Sequence, residues 1–183
     1  MKIDLAAPIF TQADVLEILP GLKAKTLQNW NERRLLDTGD QTAGRGGKRM
    51  YSGINIIKLS FMNLITEFGI GPKFASETAS FIVGRANDVH SNHKIIVEDD
   101  GVHWAIDAGN IDSYKVGFIT KKTDSRYDFE LEDQHHSRMR RFGEPHIYLS
   151  IEVDFHILST LNSIYRHLKS KEKDVRADVR PVA

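Results

Sequence analysis

Residues 11–52 read TQADVLEILPGLKAKTLQNWNERRLLDTGDQTAGRGGKRMYS, and the fold turns on them. Thr11 can start a helix, its hydroxyl capping the first turn while Asp14 reaches back. Ala13, Val15, Leu16 and Leu19 supply an apolar face, and Pro20-Gly21 stops the helix. A second helix is expected from about Ala24 to Arg34. Its Leu27 and Trp30 are three apart and face inward, while Lys25, Gln28, Asn29 and Arg33 fall on the polar sides. From Asp37 to Gly47 there is no periodicity, and Gly39, Gly44, Gly46 and Gly47 mark a flexible hairpin tip.

Working outward, Ser52 can cap a third helix with Ile54, Ile57, Phe61, Leu64, Ile65 and Phe68 at helical spacing. Gly69 is placed to end it and Pro72 to open a fourth, whose inner stripe is Phe74, Ala75, Thr78, Ala79 and Ile82. After Gly84 the pattern changes. Arg85 to His93 is polar and reads as a linker. Beyond it the period is near two: Lys94–Asp99 and Val102–Asp107 flank the turn Asp100-Gly101, and three further alternating runs centre on Val116, Phe129 and Leu149. These are expected as about five strands of a sheet with one wet face. Asp154 caps a last helix from about Phe155 to Lys169, followed by a charged tail expected to fray.

The expected class is α+β: a helical N-terminal unit, then an antiparallel-sheet unit with a C-terminal helix. The expected boundaries are 1–84, a linker at 85–93, a second domain at 94–172 and a disordered tail at 173–183.

The formal net charge is zero, yet charge is unevenly spread. Between Leu22 and Lys58 the bases are Lys23, Lys25, Arg33, Arg34, Arg45, Lys48, Arg49 and Lys58, against Glu32, Asp37 and Asp40. Ala86 to Val153 is acidic on balance. Such asymmetry points to one local electropositive face.

In its motifs the stretch resembles the N-terminal DNA-binding domain of MerR-family regulators. The motifs are Gly21-Leu22, Thr26-Leu27-Gln28-Asn29-Trp30, Leu35-Leu36, Arg49-Met50-Tyr51 and Phe68-Gly69-Ile70, and they cover about the first 80 residues. The resemblance implies a winged helix-turn-helix on double-stranded DNA. The chain departs from the family at Gln28, where an arginine is usual, at Asn29, where an aromatic is usual, and at Arg34, where glycine is usual. Its wing is longer, and the family's metal-ligating cysteines are absent.

The residues support the same reading by their chemistry. A reading helix needs hydrogen-bonding side chains outside and a packed face inside. Lys25, Thr26, Gln28, Asn29 and Arg33 form the reading side, with Lys23 at its entry. Gln and Asn can bond adenine in bidentate fashion, and Lys25 and Arg33 can reach phosphates or guanine edges. Arg45, Lys48 and Arg49 form a basic wing placed to track the backbone, and Tyr51 at the wing base either packs or touches phosphate.

The expected function is a sequence-specific, MerR-like transcription regulator, a homodimer on a palindrome. Leu158, Leu161, Tyr165 and Leu168 have the spacing of an intermolecular seam, although the same stripe could pack on its own sheet. The rivals are a phage-type DNA-processing factor, such as an excisionase or terminase small subunit, and a ligand sensor built on the C-terminal sheet. Any effector is left open.

Other classes are disfavoured. The chain has no cysteine, which excludes disulfides, thiolate catalysis and cysteine zinc sites. No HExxH or paired-carboxylate signature appears, so neither a catalytic residue, a metal nor a cofactor is expected. No run of about 18 apolar residues marks a membrane span, and no secretory signal begins the chain, so the cytoplasm is the expected compartment. His135-His136 and the basic cluster Arg138, Arg140 and Arg141 beside Phe142 read as a loop.

Overall fold

The computed structural model describes residues 4–36, 49–89, 94–98, 101–105, 115–121, 127–133 and 148–178. The order of elements is β1 (Pro8–Thr11), α1 (Gln12–Ile18), α2 (Ala24–Glu32), β2 (Met50–Ser52), α3 (Gly53–Glu67), α4 (Pro72–Val89), β3 (Lys94–Glu98), β4 (Gly101–Ala105), β5 (Lys115–Lys121), β6 (Tyr127–Asp133), β7 (Tyr148–Glu152) and α5 (Val153–Asp178). The fold is α+β. No helix among the described residues is long and apolar enough to cross a membrane.

Local chemistry sets the helix starts. The Thr11 hydroxyl accepts the Asp14 N–H at 3.3 Å, and the Asp14 carboxylate accepts the Thr11 N–H at 2.7 Å, a reciprocal capping box. At α3, Ser52 and Asn55 repeat the exchange at 3.0 and 3.1 Å. Gly69 ends α3 with φ +79°, a conformation that costs glycine little. Pro72 opens α4, whose Ala75, Thr78, Ala79 and Ile82 are buried as the stripe required.

Strand β1 pairs antiparallel with β2, setting Phe10 opposite Tyr51. The chain therefore returns after residues 37–48 to the strand that precedes α1. Just upstream, Leu5 closes over the start of α3. Its carbonyl accepts the Ile54 N–H at 3.0 Å, and a Cβ on Gly53 would lie 2.6 Å from Leu5 Cδ2 and 3.3 Å from Leu5 Cα. A larger residue at position 53 would push the Leu5 side chain aside and press on its backbone.

The later strands form two separate sheets: the hairpin β3–β4, and an antiparallel sheet in the order β6-β5-β7. This corrects the expectation of one five-stranded sheet. A period of two marks a strand but not its partner, and β5 takes both of its neighbours from β6 and β7.

Two helices run across the expected boundaries. Helix α4 runs through Val89, so its last turn occupies part of the expected linker, and α5 extends to Asp178, into the expected tail. More important is where α5 packs. It lies against α1 and α3 as well as β4 and β5, and its Ile157, Leu161, Ile164 and Tyr165 join the same buried cluster as Val15, Leu59 and Phe61. Thr160 adds a polar tie, donating to Ser60 on α3 at 3.1 Å.

Two of the four residues expected in the seam turn into the chain's own core. Leu161 and Tyr165 are each 6% exposed within the single chain, and Leu158 and Leu168 pack on the core. Leu158 and Leu168 remain half-buried, and α1 and α3 pack on the same helix. Two smaller expectations also change: Ala13 and Phe68 are exposed rather than inside.

Candidate nucleic-acid interface

Helix α2 is two-faced. Leu27, Trp30 and Asn31 are buried, while Lys23, Lys25, Gln28, Asn29 and Arg33 are exposed and Thr26 is half-buried. The inner face is held by more than apolar packing. Asn31 Nδ2 donates to the Leu27 carbonyl and to the Tyr51 hydroxyl, both at 2.8 Å. Buried apolar packing fixes the distance of α2 from the scaffold. The directional pair to Tyr51 also fixes its rotation, and with it which residues face outward.

On the outer face, Gln28 Nε2 donates to Glu32 at 2.8 Å, one helical turn on. That leaves the Gln28 carbonyl and its second N–H for a ligand. At the start of α2, Lys23 occupies the N-cap position and no side chain caps the helix. Its first-turn N–H groups form the positive end of the helix dipole, and the exposed Lys23 and Lys25 stand beside them. The helix ends at Arg33 and Arg34, both exposed.

Arg49 is half-buried, and its Nε is enclosed with no hydrogen-bond partner among the described residues. Arg45 and Lys48 lie outside the described residues, as do His90, His93, the loop at 134–147 and the end of the tail at 179–183.

Tyr51 requires correction. It is 0% exposed and its hydroxyl is engaged by Asn31, so it is a packing residue and not a phosphate contact. Strand β2 turns it inward opposite Phe10. Lys58 is likewise buried on α3 and adds nothing to the outer basic face.

A second cluster lies away from this face, between α1 and α5. Asp14 Oδ1 lies 3.2 Å from His167 Nε2, and Glu17 lies 3.3 Å from His167 Nδ1. Lys171 closes on Asp14 Oδ1. Burial by itself would raise the Asp14 pKa. The hydrogen bond from Lys171, those from the Thr11 N–H and hydroxyl, and the Lys171 charge outweigh it and hold Asp14 at about 2. One oxygen each from Asp14 and Glu17 and one His167 nitrogen lie within 4.8 Å of one another, a spacing that a divalent cation can draw together. The Lys171 ammonium already supplies a cation at Asp14, and Glu17 is largely exposed, so the cluster's chemistry is that of an interhelix clamp. Sequence reading found Asp14 only as a cap and missed His167. The one available signal was the pairing of i,i+3 acids on α1 with the i,i+4 bases His167 and Lys171 on α5.

His156 is held between α5 and α3, its ring 4.5 Å from that of Phe61. Burial lowers its pKa more than its hydrogen bond to the Ser60 backbone raises it, which favours the neutral ring. It borders a groove of about 210 Å³ beside Ser60, Asn63 and Thr160, which is smaller than the usual ligand pocket of about 300–1,000 Å³.

No family model matches this chain, and no curated protein matches it.

Proposed function

We propose that this protein binds double-stranded DNA in a sequence-dependent manner through α2, as a transcription regulator of MerR-like type. On this reading α1, the turn at 19–23 and α2 act as a helix-turn-helix, and the segment returning through β2 is the wing. The observation that carries the reading is the division of α2. Leu27, Trp30 and Asn31 are buried against the scaffold, and Lys23, Lys25, Gln28, Asn29 and Arg33 stand together on the outside.

The chemistry of that outer face suits a major groove. The amides of Gln28 and Asn29 sit in the middle of the helix, where base edges are read, and the cations flank them, where phosphates pass. The uncapped start of α2 offers N–H groups to a phosphate. The pairing of β1 with β2 anchors the base of the wing beside α1 and so supports a wing next to the reading helix. A homodimer on a palindromic site belongs to this reading, because one short helix reads few base pairs. On the α5 stripe only the half-buried Leu158 and Leu168 keep surface for such an interface, since Leu161 and Tyr165 are buried in the chain's own core.

The test is selection of genomic DNA fragments by the purified protein, followed by binding of the recovered site to wild type and to Lys25→Ala/Arg33→Ala. Recovery of promoter-proximal palindromes supports a regulator, and recovery of attachment or packaging sites points instead to a phage-type DNA-processing factor. The double variant is expected to bind more weakly and to flatten the slope of log affinity against log salt by about 0.9 for each phosphate it no longer neutralises. Unchanged affinity and slope would remove α2 from the interface.

A further inference from the structure

We propose that Arg34 is a phosphate anchor: its guanidinium grips the sugar–phosphate backbone of the duplex at the C-terminal end of α2. The inference rests on the DNA-binding reading of α2 and adds a residue whose backbone, not only its charge, bears on the role.

Arg34 has φ +53°, and it is the one described residue other than glycine with a positive φ. The cause is the way α2 ends. The Arg34 N–H donates to the Asn31 carbonyl and the Leu35 N–H to the Trp30 carbonyl, each at 3.0 Å. These two reversed bonds form the double closure that requires a left-handed residue between them. Glycine suits that position, and asparagine tolerates it. Any other L side chain brings its Cβ against the following carbonyl. An arginine there therefore carries a steric penalty that the fold does not require of it.

The strain is held from both sides. Trp30 and Asn31, which accept the closing bonds, are buried. Leu36 is buried too, and the Leu35 carbonyl accepts the Ser76 hydroxyl of α4 at 2.6 Å. The direction of the Arg34 Cα–Cβ bond is thus set by four anchored neighbours.

Nothing among the described residues rewards this placement. The side chain is exposed, and it pairs with no described residue. A cation at a helix C-terminus gains from the dipole, but the exposed Arg33 one residue earlier already supplies one. Among the described residues nothing supplies that compensation, and the chemistry of guanidinium selects an anion with paired oxygens, as a phosphodiester offers. Residues held in sparsely populated backbone regions by over-determined surroundings gather at ligand-binding positions.

The test sets stability against binding. Wild type, Arg34→Gly and Arg34→Lys are compared by calorimetry and by titration onto a fluorescent mixed-sequence DNA duplex over a range of salt. Arg34→Gly is expected to raise Tm by about 2–4 °C. The same variant is expected to bind more weakly, with a salt slope flatter by about 0.9. Arg34→Lys keeps the charge and the strain, so its slope stays near wild type and its Tm does not rise. Wild type that fails to bind any duplex at low salt overturns the DNA-binding reading itself. Wild type that binds while Arg34→Gly matches its affinity and slope overturns the anchor alone. A lower Tm for Arg34→Gly also overturns it, because Arg34 would then be rewarded within the fold.

Discussion

The side-chain amide of Asn31 donates to the hydroxyl of Tyr51 across 2.8 Å, joining the inner face of α2 to β2 with both residues buried. The pair orients the outward residues of α2 without touching any ligand. Tyr51→Phe is expected to lower stability by about 1 kcal/mol, the usual worth of one such bond. Denaturant unfolding measures that loss. The salt slope of DNA binding should not move, and a slope flatter by about 0.9 would restore Tyr51 as a phosphate ligand.

Gln28 and Asn29 are exposed amides in the middle of α2. Replacing both with alanine is expected to change the selected DNA motif more than the overall affinity. Removing a bidentate amide–base pair typically costs about 1–3 kcal/mol at the base concerned, and uncharged amides contribute little to counterion release. Return of the wild-type motif by the double variant would leave α2 a phosphate-binding element only.

Asp14 carries a pH dependence whose sign follows from its environment. Burial opposes its ionisation, but the Lys171 and Thr11 hydrogen bonds prevail, and its pKa falls from 3.8 to about 2. A carboxyl depressed in the folded state contributes stability above its unfolded pKa and loses it as the pH falls. The contribution, on the order of 2 kcal/mol, should disappear between about pH 4 and pH 2. Asp14→Asn should be less stable at neutral pH and flatter over that window. Acid unfolding curves of matching slope for the two proteins would refute the clamp.

Leu161 is buried within the single chain, on a helix that packs against α1 and α3. Leu161→Ala is expected to cost about 2–5 kcal/mol, the transfer and cavity cost of a core leucine. Its sedimentation should match that of wild type at equal concentration. A fully stable variant that loses a dimer would return the stripe to the role of a seam.

Several elements were legible in the sequence because their signals are local. The capping box at Thr11 and the cap at Ser52 lie within four residues, and the burial of Leu27 and Trp30 follows from helical spacing alone. For the same reason the exposed residues of α2 could be listed in advance. The role of Tyr51 could not, because an aromatic residue at the base of a hairpin is equally able to point in or out until its partner strand is known.

By itself the sequence determined about where the described helices start, where strands β3 to β7 fall and which face of α2 is polar, because capping, periodicity and turn chemistry act between neighbours in the chain; the short strands β1 and β2, which exist only as a pair, were not legible in it. Only the tertiary structure decided what covers each apolar face. Periodicity states that α5 has a stripe to bury, but not that α1 and α3 will share in burying it. Hydrophobic attraction is non-directional, and the choice of partner depends on how the whole chain closes. The Asp14–His167 pair joins α1 to α5, and the local spacing of the acids and the bases does not say that the two helices will meet. Arg34 combines both levels. Its identity is plain in the sequence, but its left-handed backbone exists because two hydrogen bonds and a buried leucine on its far side leave the chain no other path.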